Sequence, residues 1–503
     1  MAATEPSSRQ FRLGAAGVGL VALAVRWVTT WHWYKPLSPQ PPDLTDNTWY
    51  WVQSNLVARG KGFANPFVFL HAASPRSFEP NPPHIDLDRI IRNYVDTSDA
   101  LAHSAGHPPG YTSVLAIVHL LGFHSPLAMR LASGVLGAAA AVVVAFLARR
   151  ISGSDRAGIF AGLFAAVYAN LWINDGLILS ESLAALLIAV LLWCAYRLIE
   201  EPGWRTAALL GLAVGVCCLT RSESQMYFVL FIPPLALWSC RRVDWRKRVA
   251  VLAIATAIAA AVITPWVAKN LTTFKHPVFL AIGAGFVLDV SNCDTTYYGD
   301  LLGYTDATCS TTTWPEGADE SEVEAILRRH ATRYIDSHKG RLVTVVAPAR
   351  VGRMWNLYRP LQGVDLDVFF ERRQLWPARL ALAQYYLFGL LAAAGGWWMW
   401  RQRRPLLPMG VILLTVTVTA ASTMGITRYR LPAEIVWVTL AGIGADRLWC
   451  WWMRRRRGDE AQAASPSSTG SGDPGERDPQ PSVNSSVSPT VAASINPTSA
   501  VDL

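Results

Sequence analysis

The sequence predicts an all-α polytopic membrane protein, with about ten transmembrane helices, two long outer-face segments and interfacial helices. Three observations carry this expectation. Half of the 503 residues are hydrophobic. They gather in blocks of about 20, the length needed to cross the hydrocarbon core, rather than in short periodic runs. Arginines collect at alternate connections between the blocks, as they do on the cytoplasmic side of a membrane.

The blocks are residues 11–30, 126–148, 157–173, 182–199, 249–268, 378–400, 405–424 and 432–453. A longer run, 205–239, is interrupted by Arg221 and Glu223 and reads as two spans with a short turn. Arg149, Arg150 and Arg156 flank one connection, and Arg241, Arg242, Arg246, Lys247 and Arg248 fill another. Arg401, Arg403 and Arg404 fill a third, and Arg454 to Arg457 follow the last block. With these clusters inside, the N-terminus is inside and residues 31–124 and 269–377 lie outside. The net charge of +9 is thus juxtamembrane, which excludes a nucleic-acid partner and leaves membrane lipids as the surroundings. Met1–Gln10 is too short and too polar for a cleaved signal region, so the first block is a retained span. Tyr111–Phe123 is apolar but short, and as a span it would turn the later arginines outward; it is expected as a helix at the interface or packed beside the spans.

Within the outer segments, Asn47–Arg59 is expected to be a helix that Asp46 caps and Gly60 ends, and Ser321–Ser337 a second helix. Residues 1–457 make the membrane domain. Residues 458–503 are rich in Ser, Pro, Gly and Thr, cannot bury a core, and are expected to be a disordered cytoplasmic tail.

Asp46 is the first candidate for chemistry. It follows the first span among Trp49, Tyr50 and Trp51, and it reads either as a helix cap or as a general base. Arg428 and Arg430 stand in the outer turn TRYRLP, Arg221 in LTRSES, and Lys269 at the end of a span. An arginine near hydrocarbon costs roughly 3 kcal/mol unless it snorkels or faces a cavity. These four therefore either hold an anionic group or snorkel and pair with neighbours such as Glu223 and Glu434. Glu181 begins a span, as a polar helix end or as a ligand for a sugar hydroxyl or a metal. His103 and His107 have the i, i+4 spacing of a zinc pair, against which Gly106, Pro108 and Pro109 break any helix there. The metal set is left open. Cys293 and Cys309 share one polar loop, bridged on an oxidising face or else two free thiols.

The motifs also resemble a known family. D-x3-Y from Asp46 to Tyr50, then ARGKGF, then HPPGY resembles the first outer loop of the GT-C glycosyltransferases, and most of all family 39, the dolichyl-phosphate-mannose-protein mannosyltransferases and their bacterial relatives. MRLASGVLGAAAAVVVAFLARR, LILSESLAALL, GLAVGVCCLTRSES, PWVAKN, SNCDTTYYGDLLGY and TRYRLPAE continue the resemblance in order over residues 11–455. It implies a catalytic base at Asp46, substrate contacts at Tyr50 and His107, and a second acidic site at Glu181, and it leaves a divalent metal open as a cofactor. Many members carry another acid directly after the first; here Asn47 stands there. The implied reaction moves a sugar from a polyprenyl-phosphate donor to a glycan, lipid or protein acceptor. The implied place is the outer face of a plasma membrane, for this arginine-rich chain the inner membrane of a bacterium. One carboxylate opposite the leaving phosphate suits inversion. Arg221, Lys269, Arg428 and Arg430 would receive the charge that grows on that phosphate. The alternative is a transporter or flippase of a lipid-linked or anionic solute, which would set ionisable residues at midplane in broken helices.

Overall fold

The computed structural model describes residues 8–34, 45–68, 102–239, 241–313 and 315–463. The described residues are helical, with one isolated backbone bridge between Ala64 and His103. α1 (Arg9–Thr29) continues through a wide turn, Thr30–Tyr34. α2 (Asp46–Ala58) and α3 (Pro109–Leu120) belong to the first long segment. α4 (Pro126–Ser152) is followed by α5 (Asp155–Val167) and α6 (Ala169–Asp175), a pair bent by 52°. α7 (Glu181–Glu200), α8 (Trp204–Cys218) and α9 (Trp245–Thr273) come next. The second long segment carries α10 (Ala284–Ser291), α11 (Glu320–Ser337), α12 (Ala347–Met354) and α13 (Pro360–Glu371). α14 (Leu375–Arg401), α15 (Leu407–Ser422) and α16 (Leu431–Ala463) close the chain.

Each block expected to span falls in a helical stretch, but the stretches are not ten equal rods. Among the described residues five, Arg9–Tyr34, α4, α7, α9 and α14, are each long and apolar enough to cross a membrane, and the bent pair α5–α6 makes a sixth. α8 and α15 are apolar but shorter. Residues 227–239 form one-turn pieces around Pro233 and Pro234, because neither proline can donate a helical hydrogen bond. Small residues let the spans touch at the backbone. A side chain at Gly395 would lie 2.1 Å from the Leu440 carbonyl, and one at Gly444 2.0 Å from that of Leu391.

α4 sets the scale of the bundle. Its 27 residues rise about 40 Å. At its C-terminal end Arg149 pairs with Asp155, and nearby Arg156 pairs with Asp446. At its N-terminal end α2 and α3 pack together through Trp49, Tyr50, Trp51, Tyr111 and Leu115. Two glycines of HSAGHPPGY allow close approach here, Gly106 to α2 and Gly110 to the chain just after α8. A side chain at Gly106 would fall 2.5 Å from the Trp49 ring, and one at Gly110 2.6 Å from the Leu219 carbonyl. The apolar stretch Tyr111–Phe123 is thus α3, packed beside α2.

α11 begins with a reciprocal cap. Asp319 accepts from the Glu322 N–H at 2.9 Å, and Glu322 accepts from the Asp319 N–H at 3.0 Å. Its Glu320 accepts from Asn65 at 2.6 Å and from Ser104 at 2.9 Å, and so staples the two long segments together. Cys293 and Cys309 are joined by a disulfide, with their Cα atoms 5.9 Å apart. Residues 1–452 form one compact unit and those from 453 onward another. α16 runs past Arg457 to Ala463. The rest of the expected disordered tail, 464–503, lies outside the described residues.

Candidate active site

Asp46 opens α2 from inside the helix; it does not cap it. Thr45 holds the cap position without a side-chain bond. Asn47 ties the helix start: its Oδ1 accepts from the Thr48 N–H at 2.6 Å and from the Thr45 hydroxyl. That frees the Asp46 carboxylate to face across the molecule. Its Oδ2 lies 2.6 Å from Arg428 Nη1 and its Oδ1 3.4 Å from His107 Nε2. Tyr50, one turn on, stacks on the His107 ring at 4.7 Å and meets Tyr111 edge-on at 4.9 Å. Residues 102–108 are non-helical, so His103 and His107 do not share a helix face.

Arg428, in the one-turn helix Thr427–Arg430, reaches three carboxylates. Besides Asp46 it pairs with Glu181, through Nε, and with Glu371 at 3.3 Å. Glu181 is fully buried at the start of α7, and Arg221 Nη1 reaches the same oxygen, Oε1, at 2.5 Å. Arg221 also holds Glu223 at 2.5 Å and lies 5.4 Å over the Tyr429 ring. Two guanidiniums thus stand among four carboxylates. A cleft of about 170 Å³ opens on Arg428, Asp46 and Glu371, walled also by Thr45, Asn47, Leu177, Leu179, Phe370 and Arg372.

The electrostatics differ between two acids of this cleft. Burial alone would push the Asp46 carboxyl up, but the Arg428 guanidinium and then His107 outweigh it and hold it well below the usual carboxylate range. For Glu371 burial wins: the carboxyl is raised above its ordinary value, against Arg428 and Arg373 and with help from Asp46 and Glu181. Arg428 fills the space between the carboxylates. Among the described residues no three His, Cys, Asp or Glu side chains converge as metal ligands.

The structure therefore brings together Asp46, Tyr50, His107, Glu181, Arg221 and Arg428. It does not bring Arg430 or Lys269 to them. Arg430 turns the other way, 2.6 Å from Glu434 and 2.5 Å from the Met354 carbonyl, over the Tyr385 ring at 4.0 Å. Glu434 in turn accepts from Tyr168 at 2.7 Å and Asn170 at 2.8 Å. The Lys269 ammonium lies 4.6 Å over Trp266 and 5.7 Å over Phe63, with no hydrogen-bond partner among the described residues. Sequence reasoning missed Glu371. The signal available was an acid between two phenylalanines and two arginines, FFERR, just before a span.

Residues 106–268 match the family model described as dolichyl-phosphate-mannose-protein mannosyltransferase. No curated protein matches the chain by sequence. Among solved structures, the chain is similar to the archaeal oligosaccharyltransferase AglB from Archaeoglobus fulgidus in complex with an inhibitory peptide and a dolichol-phosphate. The identity is 12% and the TM-score 0.52, over 90% of this chain and 52% of that one. For the apo form of the Archaeoglobus enzyme the values are 11% and 0.51, over 90% and 52%. ArnT from Cupriavidus metallidurans bound to undecaprenyl phosphate gives 16% and 0.48, over 91% and 64%. The chain thus spans about half the length of the archaeal enzyme, and at these identities the likeness is one of fold. About a third of the chain thus resembles that family's model, and its fold resembles that of the archaeal oligosaccharyltransferase.

Proposed function

We propose that this protein transfers a sugar from a polyprenyl-phosphate donor to an acceptor hydroxyl, in the cleft around Asp46 and on the outer face of the membrane. The observation that carries the reading is Arg428, set between Asp46, Glu181 and Glu371 on an open cleft. A cation so placed is preorganised for a phosphate. Beside it, Arg221 leads into the turn Ser222–Met226. Gln225 of that turn borders an apolar groove of about 490 Å³ formed with Phe228, Ile263, Val267, Leu271 and Phe279. In this reading the donor phosphate lies at Arg428 and its prenyl tail takes the apolar groove. The archaeal structure, which holds a dolichol-phosphate, supports the same class of donor. The arginine clusters lie at the opposite ends of the spans, which supports an outward cleft.

In this reading the donor phosphate takes Arg428 from Asp46. Without its ion pair the Asp46 carboxylate becomes a stronger base, and it accepts the proton of the acceptor hydroxyl. The acceptor oxygen bonds to the anomeric carbon as the bond from that carbon to the phosphate oxygen breaks. The configuration inverts, Arg428 and Arg221 neutralise the departing lipid phosphate, and the proton stays on Asp46 until water removes it. Tyr50 and His107, stacked on each other, form the wall beside the base.

One observation favours the transporter reading: a buried ion pair that joins Arg26 of the first span to Asp175 of the broken third span. Both side chains are 1% exposed, so the pair is sealed from any solute. The deciding experiment is incubation of the purified protein in lipid vesicles with polyprenyl-phosphate sugars and a hydroxyl acceptor. Release of polyprenyl phosphate matched by acceptor glycosylation is expected. Movement of intact donor across the bilayer, without release, would replace this reading with transport.

A further inference from the structure

The break in the third span is a built feature. α5 ends at Val167, and α6 leaves at 52°. Such a break frees carbonyls that lipid cannot satisfy. Here side chains meet them. Arg26 Nη1 donates to the Ala166 carbonyl at 3.1 Å, and Nη2 to that of Ala165 at 3.4 Å. Trp172 Nε1 and Gln384 Nε2 each donate to the Val167 carbonyl at 3.2 Å. Gln384 Oε1 accepts from the Ala169 N–H at 2.8 Å. Arg26 does a second thing: its Nε lies 2.7 Å from Oδ2 of Asp175, the last residue of α6. One guanidinium therefore joins the end of α5 to the end of α6. Gly137 of α4 makes the room. A side chain there would lie 2.3 Å from Asp175 Oδ2 and 2.4 Å from Arg26 Nε.

The residues just after Asp175 wall the cleft. Leu177 and Leu179 line it, and Glu181 holds Arg428. Between the two leucines, Ile178 is forced to φ +53°, a conformation that a β-branched residue keeps only when its surroundings impose it. Gly176 is pressed on Tyr34, whose ring a side chain would meet at 2.4 Å. A strained loop of this kind needs both ends anchored, and Arg26 supplies the anchor on the side of the break.

We propose that Arg26, buried in the first span, is a positioning residue for the cleft, holding the broken third span so that the loop 176–180 sets Leu177 and Leu179 in the cleft wall and leads Glu181, the first residue of α7, to Arg428. Its consequence for rate rests on the proposed function; its consequence for the loop does not. Arg26→Lys is the discriminating variant. It keeps a positive charge opposite Asp175, so insertion is preserved. A single ammonium on a flexible stem cannot hold two carbonyls and a carboxylate as the planar fork does. Gly137→Ala is the second variant, because it keeps both charges and wedges them apart.

The reporter is Leu179→Cys in a chain carrying Cys450→Ser, labelled by a small charged maleimide. With the melting temperature close to that of the parent, labelling of the reporter thiol is expected to rise about tenfold in Arg26→Lys and less in Gly137→Ala, as the loop opens locally. In transfer, with Leu179 intact, kcat should fall about tenfold while the donor KM stays within about threefold, since the loss is of orientation and not of binding. A general loss of fold would instead raise labelling only together with a fall in melting temperature, and that overturns the proposal. Parental labelling in both variants overturns it as well. If the parent itself transfers no sugar, the proposed function fails and the labelling still decides this inference.

Discussion

Arg428 and Arg430 stand two residues apart in one turn, and the protein uses them in opposite ways. Arg428 faces a cleft, where its partners are three carboxylates from three distant parts of the chain. Arg430 faces the bundle, where Glu434, the Met354 carbonyl and the Tyr385 ring close around it. The first set is crowded with acids and open to solvent, so an incoming anion can exchange for one of them. The second is saturated and sealed, so nothing can enter without breaking it. Charge and sidedness are the same for both residues; what separates them is whether the far side of the guanidinium is a cleft or a core.

Removing each arginine in turn tests that difference. Arg428→Gln is expected to lower kcat/KM for the lipid-phosphate donor by about 10²–10³, the worth of one charged donor to a developing oxyanion, in steady-state transfer kinetics. Arg430→Gln leaves Glu434 buried without its ion pair. It should cost roughly 3 kcal/mol of stability, read as a lower melting temperature, with the donor KM of the folded fraction close to that of the parent. Equal kinetic losses in the two variants would erase the distinction between the two sides of the turn.

Glu371→Gln gives the smallest effect and a signed pH dependence. The Glu371 carboxyl is raised in the folded protein, so just above the ordinary carboxylate range the folded state binds more protons than the unfolded one, and stability falls as pH rises through that window. Glutamine removes this slope. The variant should gain stability at neutral pH, and the gain should vanish below the ordinary carboxylate range. Asp46 has the opposite sign. Its carboxyl is lowered, so its contribution is present above the ordinary carboxylate range and is lost only as pH falls through a value well below that range. Melting curves against pH separate the two.

Much of the architecture was legible in the sequence because hydrophobic block length and arginine placement are one-dimensional signals. α4, α7, α9 and α14 follow from them directly, and α11 follows from the polar face made by Glu322, Glu324, Arg328, Arg329 and Arg333. The bent pair α5–α6 did not, because the residues that satisfy the break, Arg26 and Gln384, lie in α1 and α14. Asp46 was legible as a first-turn acid, but its partner was not: local rules offered a cap, whereas an ion pair to a residue far along the chain takes the carboxylate. Asn47 beside it serves the helix start instead. Glu371 had only FFERR to mark it, because its role is set by the ion pair to Arg428, far along the chain.

In the proposed mechanism Arg428 holds Asp46 until a donor phosphate takes its place, and Asp46 then acts as the base. The most direct measurement compares Asp46→Asn with the parent protein, in one preparation, for polyprenyl-phosphate binding and for sugar transfer. Removing the competing carboxylate should leave the affinity for polyprenyl phosphate unchanged or tighter. Removing the base should lower turnover by roughly two to four orders of magnitude. Weaker phosphate binding together with turnover at the parental rate would contradict both halves of the mechanism.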